Sequence, residues 1–346
     1  MTRQAFLLIN LGTPDDPSIP AVRRYLKEFL SDPHVVDINP IARRVLLYGI
    51  ILPWRSPRSA EAYRKIWTER GSPLLIHSQD LARKLAAALG EEWHVELAMR
   101  YQNPSMASAL RRLHENGVER IVVFPLFPHY ADATWGSVIE KLKNEAAKYP
   151  NAPLLEIVSP YYDHPAFIGA LTEVARPVLK DFRAERVLFS YHGLPERQVR
   201  KADPTGGRYC LQSPTCCDRI TASNKDCYRA QCFATSRALA KRLGLVREVW
   251  ETSFQSRLGR IPWIRPYTDE RVRELAAAGV RRLAVLSPAF TADCLETLEE
   301  IGIRAREDFI SQGGEELRLV PSLNSEDIWA EAVIRIARDA VPFGQP

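Results

Sequence analysis

The sequence has little of several features that would assign a protein to a class at once. Its 346 residues carry a net charge of only +5, with Lys and Arg interspersed among Asp and Glu, so it has no basic stripe for nucleic acid. The longest apolar run, VLLYGIILPW at 45–54, is about half the length that spans a bilayer. Neither GxGxxG nor GxxxxGK[ST] occurs, which argues against dinucleotide and nucleoside-triphosphate binding. The apolar run at the N-terminus is too short for a signal peptide, so we expect a cytoplasmic protein, soluble or peripheral.

Cysteine is scarce everywhere except in one polar stretch, YCLQSPTCCDRITASNKDCYRAQC at 209–232. That stretch holds five of the six cysteines, and the sixth is Cys294. Disulfides, a zinc site, an iron–sulfur cluster and chance are the alternatives. A reducing cytoplasm disfavours disulfides. The lack of a C-x2-C pair fits a zinc finger poorly, and clustered loop thiols that arose by chance would invite oxidation.

A helix-like segment, a glycine and an apolar run recur in that order four times, at Gly90, Gly117, Gly244 and Gly279. Glycine suits the left-handed conformation in which many helices end. Upstream of two of these glycines, Ser78 and Ser105 are predicted N-caps. Together with the other apolar runs, the pattern predicts eight strands, near 5–11, 93–99, 120–126, 154–159, 186–191, 247–252, 282–288 and 316–321.

Most of these strands are continuous apolar runs, which are typical of strands covered on both faces of a parallel sheet. Alternation with helices implies an α/β fold with right-handed crossovers. Four strands fall in each half, so we predict two similar doubly wound domains with four-stranded parallel sheets and a cleft between them. The predicted domains are 1–157 and 158–322, the second carrying the cysteine-rich insertion 203–232. We expect an amphipathic C-terminal helix within 323–346 to pack back on the first domain.

Ligands of open α/β sheets bind beyond the carboxyl ends of the strands, and three candidate side chains lie in segments that follow strands. His192 comes after RVLFS, where an imidazole can act as a general base or metal ligand, or simply hydrogen-bond within a turn. Asp293 and Glu296 lie in TADCLETLEE at an acidic helix start. Capping of that helix would explain these carboxylates equally well.

Other side chains suit a flat, anionic ligand. Trp263 lies in the proline-rich loop GRIPWIRPY, where an indole either covers a core edge or forms a wall against a planar ligand. Arg55 and Arg58, together with Arg100 and Tyr101, can bind carboxylates. Surface arginines are common, so each is weak evidence alone.

The blocks NLGTP, RSPR…AEAYRKIW…GSPL, MRYQNPS, SYHGLPER, TSFQSRLGRIPWIRPYTDE and FTADCLETLEEI occur in order and with compatible spacing from about residue 5 to 335. Taken together, this set resembles the ferrochelatase family. The resemblance implies a chelatase-like fold and insertion of Fe²⁺ into protoporphyrin IX, the last step of haem synthesis, with loss of two pyrrole protons.

The resemblance also implies residue roles. His192 would lie at the porphyrin face with Glu296 as its acidic partner, both catalytic and both ligands of the substrate iron. Some family members have a second histidine where this chain has Cys294, so a two-histidine iron site is not expected here. The implied substrate-binding residues are Leu11, Arg55, Tyr63, Arg100, Tyr101, Trp263 and Asp293.

Some ferrochelatases carry a structural 2Fe–2S cluster, in certain bacteria within an internal segment of this kind. The resemblance therefore implies that four thiolates hold such a cluster here. We expect the ligands to be Cys210, Cys216, Cys217 and Cys227, with Cys232 as the alternative.

The run at 45–54 falls where the family has an apolar lip, which implies peripheral contact at the inner face of a membrane. A buried helix or a dimer contact would explain the run equally well, and the oligomeric state is not predicted.

Two other functions compete with ferrochelatase activity. A solute-binding protein also closes two α/β lobes on a ligand. A cobalt or nickel chelatase would act on a more carboxylated tetrapyrrole, but it typically needs more than the seven histidines present here.

Overall fold

The structure is a computed structural model that describes residues 4–259, 261–341 and 343. In these residues the chain forms two four-stranded parallel sheets, which confirms the predicted fold class. The strands are β1 Gln4–Gly12, β2 Trp93–Tyr101, β3 Arg120–Pro125, β4 Leu154–Ile157, β5 Arg186–His192, β6 Trp250–Gln255, β7 Arg282–Leu286 and β8 Glu316–Leu319. All eight predicted strands are confirmed. β6 begins three residues later than expected because Arg247–Val249 forms a 3-10 turn.

Both sheets have the same topology. The strand orders are β2-β1-β3-β4 and β6-β5-β7-β8, so the first strand of each sheet lies between the second and the third. After β1 the chain first adds β2 on one side and then β3 on the other, so the strand order reverses next to β1. The same reversal occurs next to β5. Ligands of open α/β sheets bind at such switch points, beyond the carboxyl ends of the strands.

Helices connect the strands. They are α1 Ile19–Ser31, α2 Pro40–Leu46, α3 Leu52–Ile66, α4 Pro73–Leu89, α5 Met106–Glu115, α6 Ser137–Ala146, α7 Pro165–Phe182, α8 Glu196–Lys201, α9 Tyr228–Leu243, α10 Thr268–Ala277, α11 Arg306–Ser311 and α12 Asp327–Ala340. Within the described ranges, three further segments are π-helical: Leu47–Ile51, Asp132–Gly136 and Leu295–Ala305. π-Helical turns are rare and are frequent at functional sites.

One of the two predicted N-caps is confirmed and the other is wrong. Ser105 caps α5, and its hydroxyl accepts a hydrogen bond from the Ser108 amide. Ser78 instead lies inside α4, because Ser72 followed by Pro73 starts that helix one and a half turns earlier. The Ser78 hydroxyl donates to the Leu74 carbonyl and accepts from the Asn10 side chain.

Each sheet has its own apolar core. In the first, alternate side chains of β1, including Leu7 and Ile9, pack with α5 and α6. In the second, Leu188 and Val285 pack with α10 and α11. Burial of such side chains contributes about 1.5–3 kcal/mol each to folding.

The chain divides into two compact units. One comprises Met1–Phe127, Asp132–Ser159 and Ser325–Pro346, and the other comprises Pro128–Ala131 and Pro160–Asn324. In the first unit α12 packs against α4 and β3, with Trp329 edge-on to Phe124. This helix spans Asp327–Ala340, so it is shorter than the predicted 323–346, of which residues 342 and 344–346 lie outside the described residues. Among the helices described here, none is long and apolar enough to cross a membrane.

Candidate active site

His192 is the last residue of β5, at the switch point of the second sheet. Its Nδ1 lies 2.6 Å from the carbonyl oxygen of Gly193. Because a carbonyl only accepts hydrogen bonds, Nδ1 must carry the ring proton. A neutral His192 therefore presents the Nε2 lone pair, which is free to accept a proton or bind a metal ion.

The chain after His192 pairs with the loop that carries Trp263. Pro195 and Trp263 form an antiparallel bridge, and the Trp263 ring lies 6.4 Å from the His192 ring. Gly193 is required in this arrangement, because a Cβ there would lie 2.9 Å from the Gln255 carbonyl oxygen and 3.2 Å from the indole. The structure thus brings together His192 and Trp263, two residues predicted from distant parts of the sequence.

Glu296 lies in the first turn of the π-helical segment Leu295–Ala305, which follows β7. The thiol of Cys294 is buried close to the Glu296 carboxylate. Burial, together with this carboxylate, raises the pKa of Cys294 well above its usual value. Cys294 therefore stays a neutral thiol that can donate to the carboxylate.

Gln255, at the end of β6, connects the His192 turn to the Glu296 turn. Its side-chain Nε2 donates to the Glu296 carbonyl at 2.8 Å, and its own carbonyl accepts from the Gly193 amide at 2.8 Å. Its Oε1 accepts from the buried Ser190 hydroxyl at 2.7 Å. The sequence reasoning missed this residue, although it stands at a strand end in the block TSFQS.

Asp293 was predicted to bind substrate, but its carboxylate is buried and already occupied. It accepts from Thr297 Oγ1 at 3.0 Å, from Asn324 Nδ2 at 2.8 Å and from the Ser322 amide. These bonds fix the start of the π-helical segment. Asp293 thus has the geometry of a positioning residue.

Two predicted substrate residues of the first unit also belong to a buried network. Tyr101 is fully buried, and its hydroxyl donates to Asp32 at 2.8 Å. The Arg100 guanidinium forms an ion pair with Asp32 and donates to the Ser137 hydroxyl at 2.7 Å. Although burial would raise the pKa of Asp32, the hydrogen bonds from Ser137, the His34 amide and Tyr101 hold it below its usual value.

The other predicted residues of the first unit differ in exposure. Leu11 is half-buried beside Gly12 at the end of β1, and Arg55 is exposed on α3. Tyr63 is buried, edge-on to Tyr25 and Trp67. Gly12 has φ +114°, and a Cβ there would lie 2.0 Å from a backbone oxygen, so only glycine fits.

The clustered cysteines are all buried, and none of them forms a disulfide. The sulfurs of Cys216 and Cys217 lie 3.7 Å apart, and Cys227 lies close enough to Cys210 and Cys217 to influence the pKa of both thiols. The four predicted ligands therefore lie near one another as a thiol cluster. Cys232 lies in α9, fully buried near Tyr228 and Cys217.

Two side chains that sequence reasoning missed hold this segment. The Asp203 carboxylate accepts from the amides of Thr205, Tyr209 and Cys210. Burial alone would raise the pKa of Asp203, but these hydrogen bonds hold it far below its usual value. Asn224 donates to the carbonyls of Cys216 and Arg219 at 2.8 and 2.9 Å.

Within the described ranges, no group of three or more His, Cys, Asp or Glu side chains converges on a point that would hold a single metal ion. A 2Fe–2S cluster has a different requirement, because it shares four cysteine ligands between two iron atoms. The thiol cluster of Cys210, Cys216, Cys217 and Cys227 has the right number and type of donors for it.

The apolar run at 45–54 is largely on the surface. Leu47 and Leu52 are buried, whereas Val45, Tyr48, Ile50 and Trp54 are exposed. The exposed fraction of Trp54 is 72%, which is high for an indole. A buried helix therefore does not explain this run, whereas a membrane contact or a dimer contact would.

Comparison with solved structures identifies the class of fold. The chain is similar to SirB from Bacillus subtilis with Fe³⁺, with a TM-score of 0.56 and 13% identity over 99% of this chain and 96% of that one. It is also similar to CbiX, the terminal enzyme of sirohaem biosynthesis in denitrifying bacteria. That TM-score is 0.50, with 13% identity, covering 97% of this chain and 99% of that chain. At this identity the likeness shows the fold alone, which is the chelatase fold.

Sequence comparison then identifies the family. The ferrochelatase family model matches residues 3–341. The chain is 46% identical to the ferrochelatase of Legionella pneumophila strain Corby, over 98% of this chain and 100% of the relative. It is 43% identical to the ferrochelatase of Coxiella burnetii strain CbuK_Q154, over 97% and 93%. The chain belongs to the ferrochelatase family.

Proposed function

We propose that His192 and Glu296 carry out the chelation reaction of this ferrochelatase, which inserts Fe²⁺ into protoporphyrin IX in haem biosynthesis. Two pyrrole N–H protons must leave as two Fe–N bonds form, so the site needs proton acceptors next to the macrocycle. The observation that carries the assignment is the His192 Nδ1–H bond to the Gly193 carbonyl, because it leaves Nε2 as a lone-pair donor.

Glu296 supplies the second acceptor in this proposal. A carboxylate suits a hard divalent ion or a departing proton, and the first helical turn in which it lies favours negative charge. The Cys294 thiol, which stands where some relatives have a histidine, orients this carboxylate.

We assign the remaining predicted residues to two roles. Leu11, Arg55 and Trp263, with exposed or half-buried side chains, are proposed to contact the porphyrin. Tyr63, Arg100, Tyr101 and Asp293 are proposed to hold the surrounding backbone, because their side chains are largely buried or already bonded. We retain 1–157 and 158–322 as the proposed domains.

Anaerobic incubation of the purified protein with Fe²⁺ and protoporphyrin IX tests the reaction. We expect protohaem to form, and we expect His192→Ala to lower kcat about a hundredfold or more, as the loss of a proton acceptor should. Folding of the variant is checked by circular dichroism. A folded His192→Ala protein with near wild-type turnover would refute the assignment. Preferential metalation of a more carboxylated tetrapyrrole with Co²⁺ or Ni²⁺ would favour the rival chelatase.

We further propose that Cys210, Cys216, Cys217 and Cys227 hold a 2Fe–2S cluster. The proximity of their thiols supports this set, and Cys232 in α9 remains the alternative ligand. The proposed role is structural, because insertion of Fe²⁺ changes no oxidation state. The cluster would tie together the segment 203–232, which has little helix and no strand of its own among the described residues.

The cluster predicts a red-brown protein with iron and acid-labile sulfide in near-stoichiometric amounts after anaerobic purification. Cys227→Ser should bleach it, whereas Cys294→Ser, which removes a cysteine outside the segment, should leave the visible spectrum unchanged. Colourless wild-type protein without sulfide, or tightly bound zinc, would refute the cluster.

The exposed apolar side chains of 41–54 support a peripheral membrane contact, which we propose to lie at the cytoplasmic face. Basic residues flank this surface, with the Arg44 guanidinium 6.0 Å and the Lys27 ammonium 5.7 Å from the Tyr48 ring. Anionic lipid headgroups attract such cations, while aromatic and aliphatic groups enter the interface. A poorly soluble porphyrin would then pass between membrane and enzyme.

A further inference from the structure

Two arginines of α9 converge on one member of the thiol cluster. Nη1 of Arg229 lies 3.1 Å from the Cys217 sulfur, and Nη1 of Arg237 donates to the Cys217 backbone carbonyl at 3.2 Å. Both side chains are half-buried, so water screens their charges only in part. Two cationic groups of one helix therefore face the same cysteine.

Neither guanidinium is neutralised by an acid. In the described ranges of the chain, Arg229 and Arg237 form no ion pair with a carboxylate. The other contacts of Arg229 are the Arg265 carbonyl, to which it donates at 3.3 Å, and the Phe233 ring, 4.7 Å away. A neutral thiol is only a weak hydrogen-bond acceptor. Two partly desolvated cations beside neutral thiols are therefore unfavourable unless an anion occupies the site.

The start of α9 adds a third source of positive potential. Cys227 is the N-cap of this 16-residue helix, whose free N–H groups and dipole favour negative charge. Its side chain makes no capping hydrogen bond. The buried carboxylate of the segment, Asp203, is already bonded to backbone amides, among them that of Cys210. The cations at Cys217 are thus left for a different anion.

We propose that Arg229 and Arg237 compensate the negative charge of the iron–sulfur site, with Arg229 donating to the Cys217 sulfur. Four thiolates and two sulfides outweigh two ferric ions, so the group that these cysteines would hold is an anion. Positive charge and hydrogen bonds at the sulfurs stabilise the reduced, more negative state and so raise the reduction potential. This inference rests on the proposed 2Fe–2S cluster, since it names the residues that set the charge balance of that site.

A potentiometric titration of the purified holoprotein tests the proposal, with dithionite as the one-electron donor and the visible spectrum as the readout. Arg229→Met removes the charge and the hydrogen bond but keeps an extended side chain. We expect it to lower the equilibrium constant for reduction about tenfold, which is about 59 mV for a one-electron couple. Arg229→Lys keeps the charge and should recover part of the loss. Arg237→Met, which removes a donor to the carbonyl rather than to the sulfur, should cause a smaller fall.

Arg219→Met is the matched control, because Arg219 lies in the same segment but is exposed, and its side chain donates to none of the described cysteines. It should leave the potential unchanged, since solvent and salt screen an exposed charge. A fall in Arg219→Met as large as that in Arg229→Met would overturn the proposal.

Potentials of Arg229→Met and Arg237→Met that equal or exceed the wild-type value would overturn it as well. If Arg229→Met loses its iron, the potential of Arg237→Met decides between these results. A colourless wild type without acid-labile sulfide would instead refute the cluster itself.

Discussion

At the scale of single residues, Gln255 sets the relation between the two proposed catalytic groups. Its backbone carbonyl holds the Gly193 amide next to His192, and its side-chain amide holds the carbonyl of Glu296. Because only 3% of Gln255 is exposed, these hydrogen bonds are shielded from water, and they orient the His192 turn and the Glu296 turn. It therefore acts as a positioning residue.

Gln255→Met keeps most of the side-chain volume but removes both side-chain hydrogen bonds. The partners left unsatisfied should cost about 1–3 kcal/mol of folding free energy. We expect kcat to fall about tenfold or more with little change in the porphyrin KM, since the variant misplaces catalytic groups and spares the binding walls. Steady-state kinetics and denaturant unfolding measure these effects. An increase in KM with kcat unchanged would contradict the positioning role.

His34 introduces a pH dependence in the first unit. Its Nδ1 faces Asp132 at 2.9 Å and its Nε2 faces Glu140 at 3.1 Å, so both ring nitrogens donate only when the imidazole is protonated. Burial would lower the pKa of His34, but the bonds to Asp132 and Glu140 outweigh it and raise the pKa above 6.5. This contribution to stability is complete below pH 6.5 and disappears as the pH rises through the folded-state pKa.

His34→Gln tests this dependence, because glutamine does not titrate. Relative to the variant, the wild type should be more stable by about 0.5–1 kcal/mol below pH 6.5, the size typical of exposed ion pairs. The difference should shrink towards higher pH. Urea unfolding at a series of pH values measures it, and a difference that is constant with pH, or grows with it, would contradict the assignment.

Its strand end made His192 a candidate, because ligands of open parallel sheets bind beyond the carboxyl ends of the strands. Glu296 was a candidate from its acidic helix start and Trp263 from its proline-rich loop. The buried roles of Asp293 and Tyr101 were not predictable in this way. The partners of Asp293 lie at Ser322 and Asn324, and that of Tyr101 at Asp32. Only the folded chain shows that these polar groups are already paired.

At the scale of elements, α9 connects the cysteine segment to the loop that carries Trp263. Nη1 of Arg229 lies 3.1 Å from the sulfur of Cys217, while its Nε and Nη2 donate to the Arg265 carbonyl. One guanidinium therefore connects the thiol cluster to the Trp263 loop. An ordered cysteine segment would position this loop without taking part in electron transfer.

Arg229→Met removes this connection. We expect porphyrin binding to weaken about three- to tenfold, corresponding to one or two lost hydrogen bonds, while bound iron and sulfide stay close to wild type. Arg237→Met is the control, because Arg237 also donates to Cys217, at its backbone carbonyl, but has no hydrogen bond to the described part of the Trp263 loop. Equal effects of the two substitutions would show that general disturbance of the cysteine segment is responsible.

The strands were predictable because continuous apolar runs bounded by glycine have few other interpretations in an α/β chain. Helix starts were less predictable. Ser72 and Ser78 both precede helix-forming residues, and only Pro73, which suits the first helical position, favours Ser72 as the N-cap. The π-helical segment Leu295–Ala305 was missed for a different reason. It arises from an extra residue per turn that the periodicity of apolar side chains does not reveal.

At the scale of the whole molecule, an enzyme with a poorly soluble substrate must meet that substrate where it is dissolved. The exposed apolar surface of 41–54 comprises Ile41, Val45, Tyr48, Ile50 and Trp54. Contiguous apolar groups of this kind mark protein or membrane contacts, whereas isolated ones need no explanation. The cations near Tyr48 favour an anionic lipid surface over an apolar protein partner.

Val45→Glu combined with Ile50→Glu should abolish this contact, because two carboxylates would have to enter the interface and face anionic headgroups. In sedimentation with vesicles of phosphatidylglycerol and phosphatidylcholine, we expect the wild type to pellet and the double variant to stay in the supernatant. Val246→Glu is the matched control, since Val246 is 61% exposed and Val45 66%, but Val246 lies in the second unit. The control should pellet like the wild type. The opposite outcome is a wild type that stays in solution with these vesicles and elutes as a dimer. If the double substitution dissociates that dimer, the surface serves self-association instead.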